Sequence, residues 1–224
     1  MQKAFTFHGR VARKIQLRSL LYLPADYQTG RRRRWPLLCF LHGAGERGTD
    51  LALVAKHGPP KLVSAKKEFP FVLLSPQCPA GQVWDDAALL ALLDHVVARF
   101  HIDTRRVYLT GLSMGGYGTW SLGLKHPGRF AAIAPVCGGG NYADILLANP
   151  DQNRAMRTLG VWAFHGAKDD VVPPAESKTM VAALKKAGCR DVTLTLYPQT
   201  GHDSYTETYN NPKLYEWLLG HRRH

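Results

Sequence analysis

Along the chain, short runs of β-branched and aliphatic residues alternate with longer stretches in which apolar positions recur every three to four residues. A strand buried on both faces reads as continuously apolar, whereas a helix packed on one side keeps a 3.6-residue period. The alternation therefore predicts a mainly parallel central sheet flanked by helices. Strands are expected at residues 14–23, 37–41, 71–75, 107–110, 131–136, 161–165 and 192–197, and helices at 87–100, 114–126, 175–187 and 212–219. Punctuation agrees: Asp85 and Asp86 are N-cap candidates ahead of the series Leu89, Leu90, Leu92, Leu93, Val96 and Val97. Pro127 and Gly188 close the helices before them. Residues 28–35 are polar and contain Gly30, and they read as an exposed loop between two strands.

A length of 224 residues matches one domain, read as 1–224, with little room for a cap or partner domain. At 45% hydrophobic and 21% charged, the composition supports a full core and excludes general disorder. The longest apolar run, 37–41, is far below the ~20 residues of a membrane span. The first five residues, Met1 to Phe5, lack the apolar centre of a signal peptide. The chain as written is therefore expected in the cytoplasm, or as a domain cut from a longer secreted parent. Four cysteines, at 39, 78, 137 and 189, have neither CxxC nor zinc-type spacing and read as buried free thiols. With 29 Lys and Arg against 17 Asp and Glu, the net charge is +12, concentrated at Arg31 to Arg34, Lys66-Lys67, Lys185-Lys186 and Arg222-Arg223. None of these runs is interleaved with aromatics, so they read as a solvated basic surface and no nucleic-acid partner is expected.

Chemistry concentrates in Gly111-Leu112-Ser113-Met114-Gly115-Gly116, a G-x-S-x-G motif that follows an expected strand and opens an expected helix. A serine there occupies a tight, strained turn that raises its hydroxyl above the strand ends, with the free N–H groups of the helix start beside it. A serine hydroxyl needs a base and an orienting acid. Both follow in the chain, on loops that leave the carboxyl ends of later strands: His165-Gly166-Ala167-Lys168-Asp169-Asp170, then Gly201-His202-Asp203. In a parallel sheet these loops gather at one edge, so Ser113, an acid from the Asp169-Asp170 pair and His202 can meet. Upstream, a strand runs into His42-Gly43-Ala44-Gly45, which offers the Ala44 N–H, with that of Met114, as a candidate oxyanion hole. Trp84, Tyr117, Tyr142 and Tyr205 are candidate substrate-binding aromatics. His42 and His165 read as hydrogen-bonding loop residues, and Glu46 with Arg47 as a loop ion pair. The ten histidines show no H-E-x-x-H or other ligand spacing, so neither a metal nor another cofactor is expected.

With Leu41 to Gly48, Ser75-Pro76-Gln77-Cys78-Pro79, the Gly111 to Gly116 elbow, His165 to Pro173 and Gly201-His202-Asp203, the chain resembles the α/β-hydrolases over about residues 15–219. Within them it is most similar to small carboxylesterases of the phospholipase/carboxylesterase, polyhydroxybutyrate-depolymerase-like branch. The resemblance implies metal-independent hydrolysis of carboxylic esters, and its H-G-x-x-D pattern selects Asp169 over Asp170.

The implied function is a serine carboxylesterase acting through an acyl-enzyme. Only about 24 residues separate the strands 131–136 and 161–165, where relatives insert a cap, so an open cleft without a cap domain is expected. Short-acyl or aryl esters, or ester groups on a larger carrier, are the expected substrates. A prolyl-peptidase-like serine peptidase and a non-catalytic binding module are the rival readings.

Overall fold

The computed structural model describes residues 2–10, 12, 14–27, 33–65 and 68–223. Seven strands form one sheet: β1 (Ser19–Tyr22), β2 (Trp35–Leu41), β3 (Val72–Pro76), β4 (Ile102–Leu112), β5 (Ala132–Val136), β6 (Gly160–Gly166) and β7 (Val192–Tyr197). Their order is β1-β3-β2-β4-β5-β6-β7, with β1 antiparallel to β3 and every other neighbouring pair parallel. The helices are α1 (Gly58–Ser64), α2 (Asp86–Arg99), α3 (Met114–Lys125), α4 (Ala143–Leu146), α5 (Pro150–Met156), α6 (Ala175–Lys186), α7 (Ser204–Asn210) and α8 (Pro212–Gly220).

Period-two alternation sorts each strand between two hydrophobic layers. In β2, Trp35, Leu37, Cys39 and Leu41 join a cluster with Leu89 and Leu93 of α2, Trp120 and Leu122 of α3 and Leu184 of α6. Leu38 and Phe40, pointing the other way, join Tyr209 of α7 and Leu214 and Leu218 of α8. Helices on both faces explain why β2 is buried from end to end. All four cysteines are free and buried, as read from their spacing. No helix among the described residues is long and apolar enough to cross a membrane.

The structure revises several boundaries. The expected strand at 14–23 shrinks to β1, which pairs with β3 only from Ser19, opposite Pro76, to Tyr22, opposite Leu73, followed on the Arg18 side by a single further bond from the Gln77 N–H. β4 instead begins at Ile102, five residues before the apolar run. Its first turn of chain, Asp103-Thr104-Arg105-Arg106, carries no hydrophobic signal, and Ile102 pairs with Trp35 across an irregularity in the register. Of the expected loop at 28–35, residues 28–32 lie outside the described residues, Arg33 and Arg34 are exposed, and Trp35 is buried as the first residue of β2. The basic positions 31, 32, 66 and 67 also lie outside the described residues. Four helices escaped the periodicity because they are four to seven residues long: α1, α4, α5 and α7. In α1 the tandem prolines mimic a loop, yet they occupy the first helical turn, where a missing N–H costs nothing. The connection between β5 and β6 carries only α4 and α5, the latter started by an Asn149/Gln152 capping box. The carboxyl ends of β4, β6 and β7 lie along one edge of this sheet, with β5 between β4 and β6, and the functional loops leave from them.

Candidate active site

Ser113 links the end of β4 to the start of α3 with φ 53° and ψ −117°, a left-handed conformation costly for a residue with a side chain. The neighbouring glycines make the turn possible. A methyl on Gly115 would lie 2.0 Å from the Leu41 carbonyl oxygen, and one on Gly111 2.4 Å from the Gly115 carbonyl oxygen. The Ser113 N–H donates to the Val136 carbonyl (3.0 Å), and its own carbonyl accepts from the Tyr117 N–H (3.0 Å), so the strained residue is held from both sides.

The side chains of Ser113, His202 and Asp169 form one hydrogen-bonded row. His202 Nε2 lies 2.9 Å from Ser113 Oγ, and Nδ1 lies 2.8 Å from Asp169 Oδ2. A carboxylate only accepts, so Nδ1 carries the proton and Nε2 is left to accept from the serine hydroxyl. The Asp169 side chain is fully buried. Its Oδ1 accepts from the N–H groups of Val171 (3.0 Å) and Val172 (2.9 Å). Burial works to raise its pKa, but the Val172 N–H, the His202 hydrogen bond, the Val171 N–H and the His202 charge together hold the carboxyl below its ordinary range. Asp170 is exposed, and the row passes it by.

Two further histidines brace this arrangement. His165 is buried at the end of β6, with Nε2 2.9 Å from the Val172 carbonyl and 3.2 Å from Asp169 Oδ2. Both are acceptors, so Nε2 is protonated; its hydrogen bond goes to the Val172 carbonyl, with Asp169 Oδ2 close beside it. Its Nδ1 faces Ser177 Oγ at 2.8 Å, and Ser177 also donates to the Gly138 carbonyl. His165 is a hydrogen-bonding residue as read from sequence, but its contact with Asp169 was missed. The four-residue spacing of His165 and Asp169 is the only sequence signal for it. His42 accepts from the Cys78 N–H at Nε2 (3.0 Å) and donates from Nδ1 to the Gly43 carbonyl (2.6 Å). Burial is the main influence holding its pKa below the ordinary value. The side chain thus pins the turn that leads into Ala44.

Ala44 opens a 3₁₀ turn (Ala44–Glu46) and Met114 opens α3, so neither N–H has an acceptor within its own helix. The turn runs close to the serine: a methyl on Gly43 would sit 3.7 Å from Ser113 Cβ. Glu46 and Arg47 do not pair with each other, contrary to the expectation. Glu46 turns inward to within 3.8 Å of His57 Nε2, and Arg47 donates outward to the carbonyls of Ala44 and Gln82.

A cavity of about 470 Å³ beside the serine is lined by Val83, Trp84, Ser113, Met114, Tyr117, Gly118 and Ser121. Trp84 is fixed there by its indole N–H, which donates to the His42 carbonyl (3.1 Å). Two of the four candidate aromatics, Trp84 and Tyr117, therefore meet at the serine. Tyr142 and Tyr205 are outside this lining. Tyr142 sits at the start of α4, and Tyr205, on the first turn of α7, packs edge-on against His57 at 5.1 Å. A second cavity of about 680 Å³ shares Val83 and Trp84 with the first and extends to Lys14, Gln16 and Gln82. Among the described residues no cluster of His, Cys, Asp and Glu has the geometry to hold a metal ion.

A family model described as "Putative esterase" matches residues 12–152, and one for the prolyl oligopeptidase family matches residues 139–221. The chain is 35% identical over 81 residues to the bifunctional acetylxylan esterase/xylanase XynS20E of Neocallimastix patriciarum, a match covering 36% of this chain and 11% of that protein. It is 26% identical over 214 residues to the S-formylglutathione hydrolase of Mus musculus, covering 77% of this chain and 73% of that one. Several of the curated relatives are longer proteins of which the chain spans less than half. Among solved structures, a thermostable esterase superposes with a TM-score of 0.76 at 32% identity, over 92% of this chain and 59% of the other. Since the esterase match takes in more than half of the sequence, including the turn at Ala44 and the serine elbow, the chain belongs to the esterase family of the α/β-hydrolase fold.

Proposed function

We propose that the protein is a serine carboxylesterase that works through an acyl-enzyme intermediate. The observation that carries this reading is the continuous row Ser113–His202–Asp169 set on a strained turn. His202 Nε2 takes the hydroxyl proton as Ser113 Oγ attacks the ester carbonyl, while Asp169 holds the imidazole in that tautomer and stabilises its charge. The N–H groups of Ala44 and Met114 receive the oxyanion, each contributing about 3 kcal/mol in the transition state. The alcohol departs with the proton from His202. Water then attacks the acyl-enzyme with His202 as base, restoring the free serine and releasing the acid.

Short-acyl and aryl esters suit the small, aromatic-walled cavity at Ser113, and the larger neighbouring cavity beyond Val83 and Trp84 gives room for ester groups carried on a bigger molecule. Relatives named for acetylxylan and S-formylglutathione support a small acyl group on a large leaving group. The test is hydrolysis of p-nitrophenyl acetate, butyrate and octanoate with EDTA present, comparing the parent with Ser113→Ala. Rates that fall with chain length and vanish in the variant are expected. The match of residues 139–221 to the prolyl oligopeptidase family favours one second reading, a serine peptidase using the same three side chains. Cleavage of a prolyl peptide panel by the parent, with no turnover of the three esters, would establish it.

A further inference from the structure

Three arginine pairs that are far apart in sequence, Arg33-Arg34, Arg105-Arg106 and Arg222-Arg223, converge at the amino-terminal ends of β2 and β4. In a parallel sheet this is the end opposite Ser113. The chain after α8 returns here, where the Arg223 N–H donates to the Arg105 carbonyl (2.8 Å) and its guanidinium to the Thr104 carbonyl (3.3 Å). One buried carboxylate organises the group. Asp103 Oδ2 accepts from Arg106 Nε (2.8 Å) and from Arg222 (3.1 Å), and Oδ1 accepts from the Arg105 N–H (3.1 Å). Arg106 also donates to the Arg34 carbonyl (3.2 Å).

Between them lies a cavity of about 530 Å³ lined by Arg34, Asp103, Thr104, Arg105 and Arg222. Three arginines line it against one acidic residue, Asp103, whose carboxylate is already engaged by Arg106 and Arg222. Arg34 spends one N–H on the Ile102 carbonyl (3.3 Å), and the Arg105 guanidinium has no hydrogen bond or ion pair among the described residues. Like charges around one cavity repel, and an anion bound between them relieves that repulsion. Guanidinium groups present forked donors that match the oxygens of a phosphate. The lining has no aromatic ring on which a nucleobase would stack, which favours one compact anion over a nucleic-acid strand.

We propose that this pit binds a phosphoryl group, free or carried on a larger molecule, at a site remote from the ester cleft. The full chain is titrated calorimetrically with inorganic pyrophosphate at fixed ionic strength, and separately sedimented with phosphatidylcholine vesicles with and without phosphatidic acid. Arg105→Gln is the first variant, because the Arg105 side chain supports no other residue, and Arg222→Gln is the second. Saturable pyrophosphate binding that weakens about tenfold in Arg105→Gln is the expected result, the size of one lost charge-assisted contact. Sedimentation with phosphatidic acid that the same variant abolishes would support the site with a lipid headgroup as its source. No binding to either probe, or binding that both variants leave intact, would overturn the proposal.

Discussion

Asp169 accepts three hydrogen bonds on two oxygens, with His165 packed close beside it, and most of what can be tested at the residue scale follows from that crowding. Asp169→Asn leaves the row in place but favours the wrong imidazole tautomer, so kcat for p-nitrophenyl acetate should fall roughly 10³–10⁴-fold. Because the folded carboxyl sits below its ordinary pKa, its ionised form stabilises the fold above about pH 4, and the contribution is lost as pH falls through the folded value. Urea midpoints measured from pH 6 to pH 3 should therefore drop less in Asp169→Asn than in the parent. His42 has the same sign for a different reason. Burial first of all favours its neutral form, so its contribution is present above about pH 6.5 and declines as pH falls below that. His57, also held down chiefly by burial, adds to the effect. In His42→Gln the loss of stability between pH 7 and pH 5 should be smaller than in the parent. His165→Asn removes the imidazole that holds the Val172 carbonyl and lies 3.2 Å from Asp169 Oδ2, and kcat should fall about tenfold with KM nearly unchanged. A wholly unchanged kcat would show that His165 does not position the acid. Ser113, Asp169 and His202, which the structure brings into one row, could be picked out in the sequence because a serine nucleophile calls for those residue types in a fixed chain order. The bracing by His42 and His165 could not, because a histidine beside a glycine looks the same whether it braces a site or merely ends a strand.

At the scale of elements, the elbow is the most constrained segment. Gly115→Ala would drive a methyl into the Leu41 carbonyl, backbone against backbone, and neither β4 nor α3 can yield without disturbing Ser113. A destabilisation of about 3 kcal/mol or more is expected, read as a large fall in the thermal midpoint. The glycine spacing around Ser113 specifies this turn in the sequence itself. Long elements were equally readable: β7 spans 192–197 as expected, and α2, α3, α6 and α8 each lie within a residue of their expected bounds. Short helices were not readable, since α4 and α7 are set by caps and tertiary contacts rather than by periodicity. Strand pairing misled in both directions. β1 is limited by the length of β3 it can pair with, and β4 is prolonged by Trp35, and neither fact is local to the residues concerned.

Across the whole molecule, two hydrophobic layers enclose the sheet, and all four thiols lie within them or under loops. Burial pushes the Cys39 and Cys137 thiols up to about 12. A thiol-disulfide reagent should therefore react slowly with the native protein and rapidly with all four cysteines once it is unfolded in guanidinium. The +12 charge is visible in composition, but the meeting of three arginine pairs at one end of the sheet depends on the path of the chain after α8. The ester cleft and the basic pit occupy opposite ends of the same strands, so occupancy of one leaves access to the other. The central claim concerns Ser113, and covalent trapping tests it most directly. After treatment with a p-nitrophenyl alkylphosphonate, intact mass and peptide mapping should find one phosphonyl group, carried by Ser113, with labelling slowed at least roughly 10³-fold in His202→Ala. Labelling of another residue, or equal labelling in the His202 variant, would contradict the account.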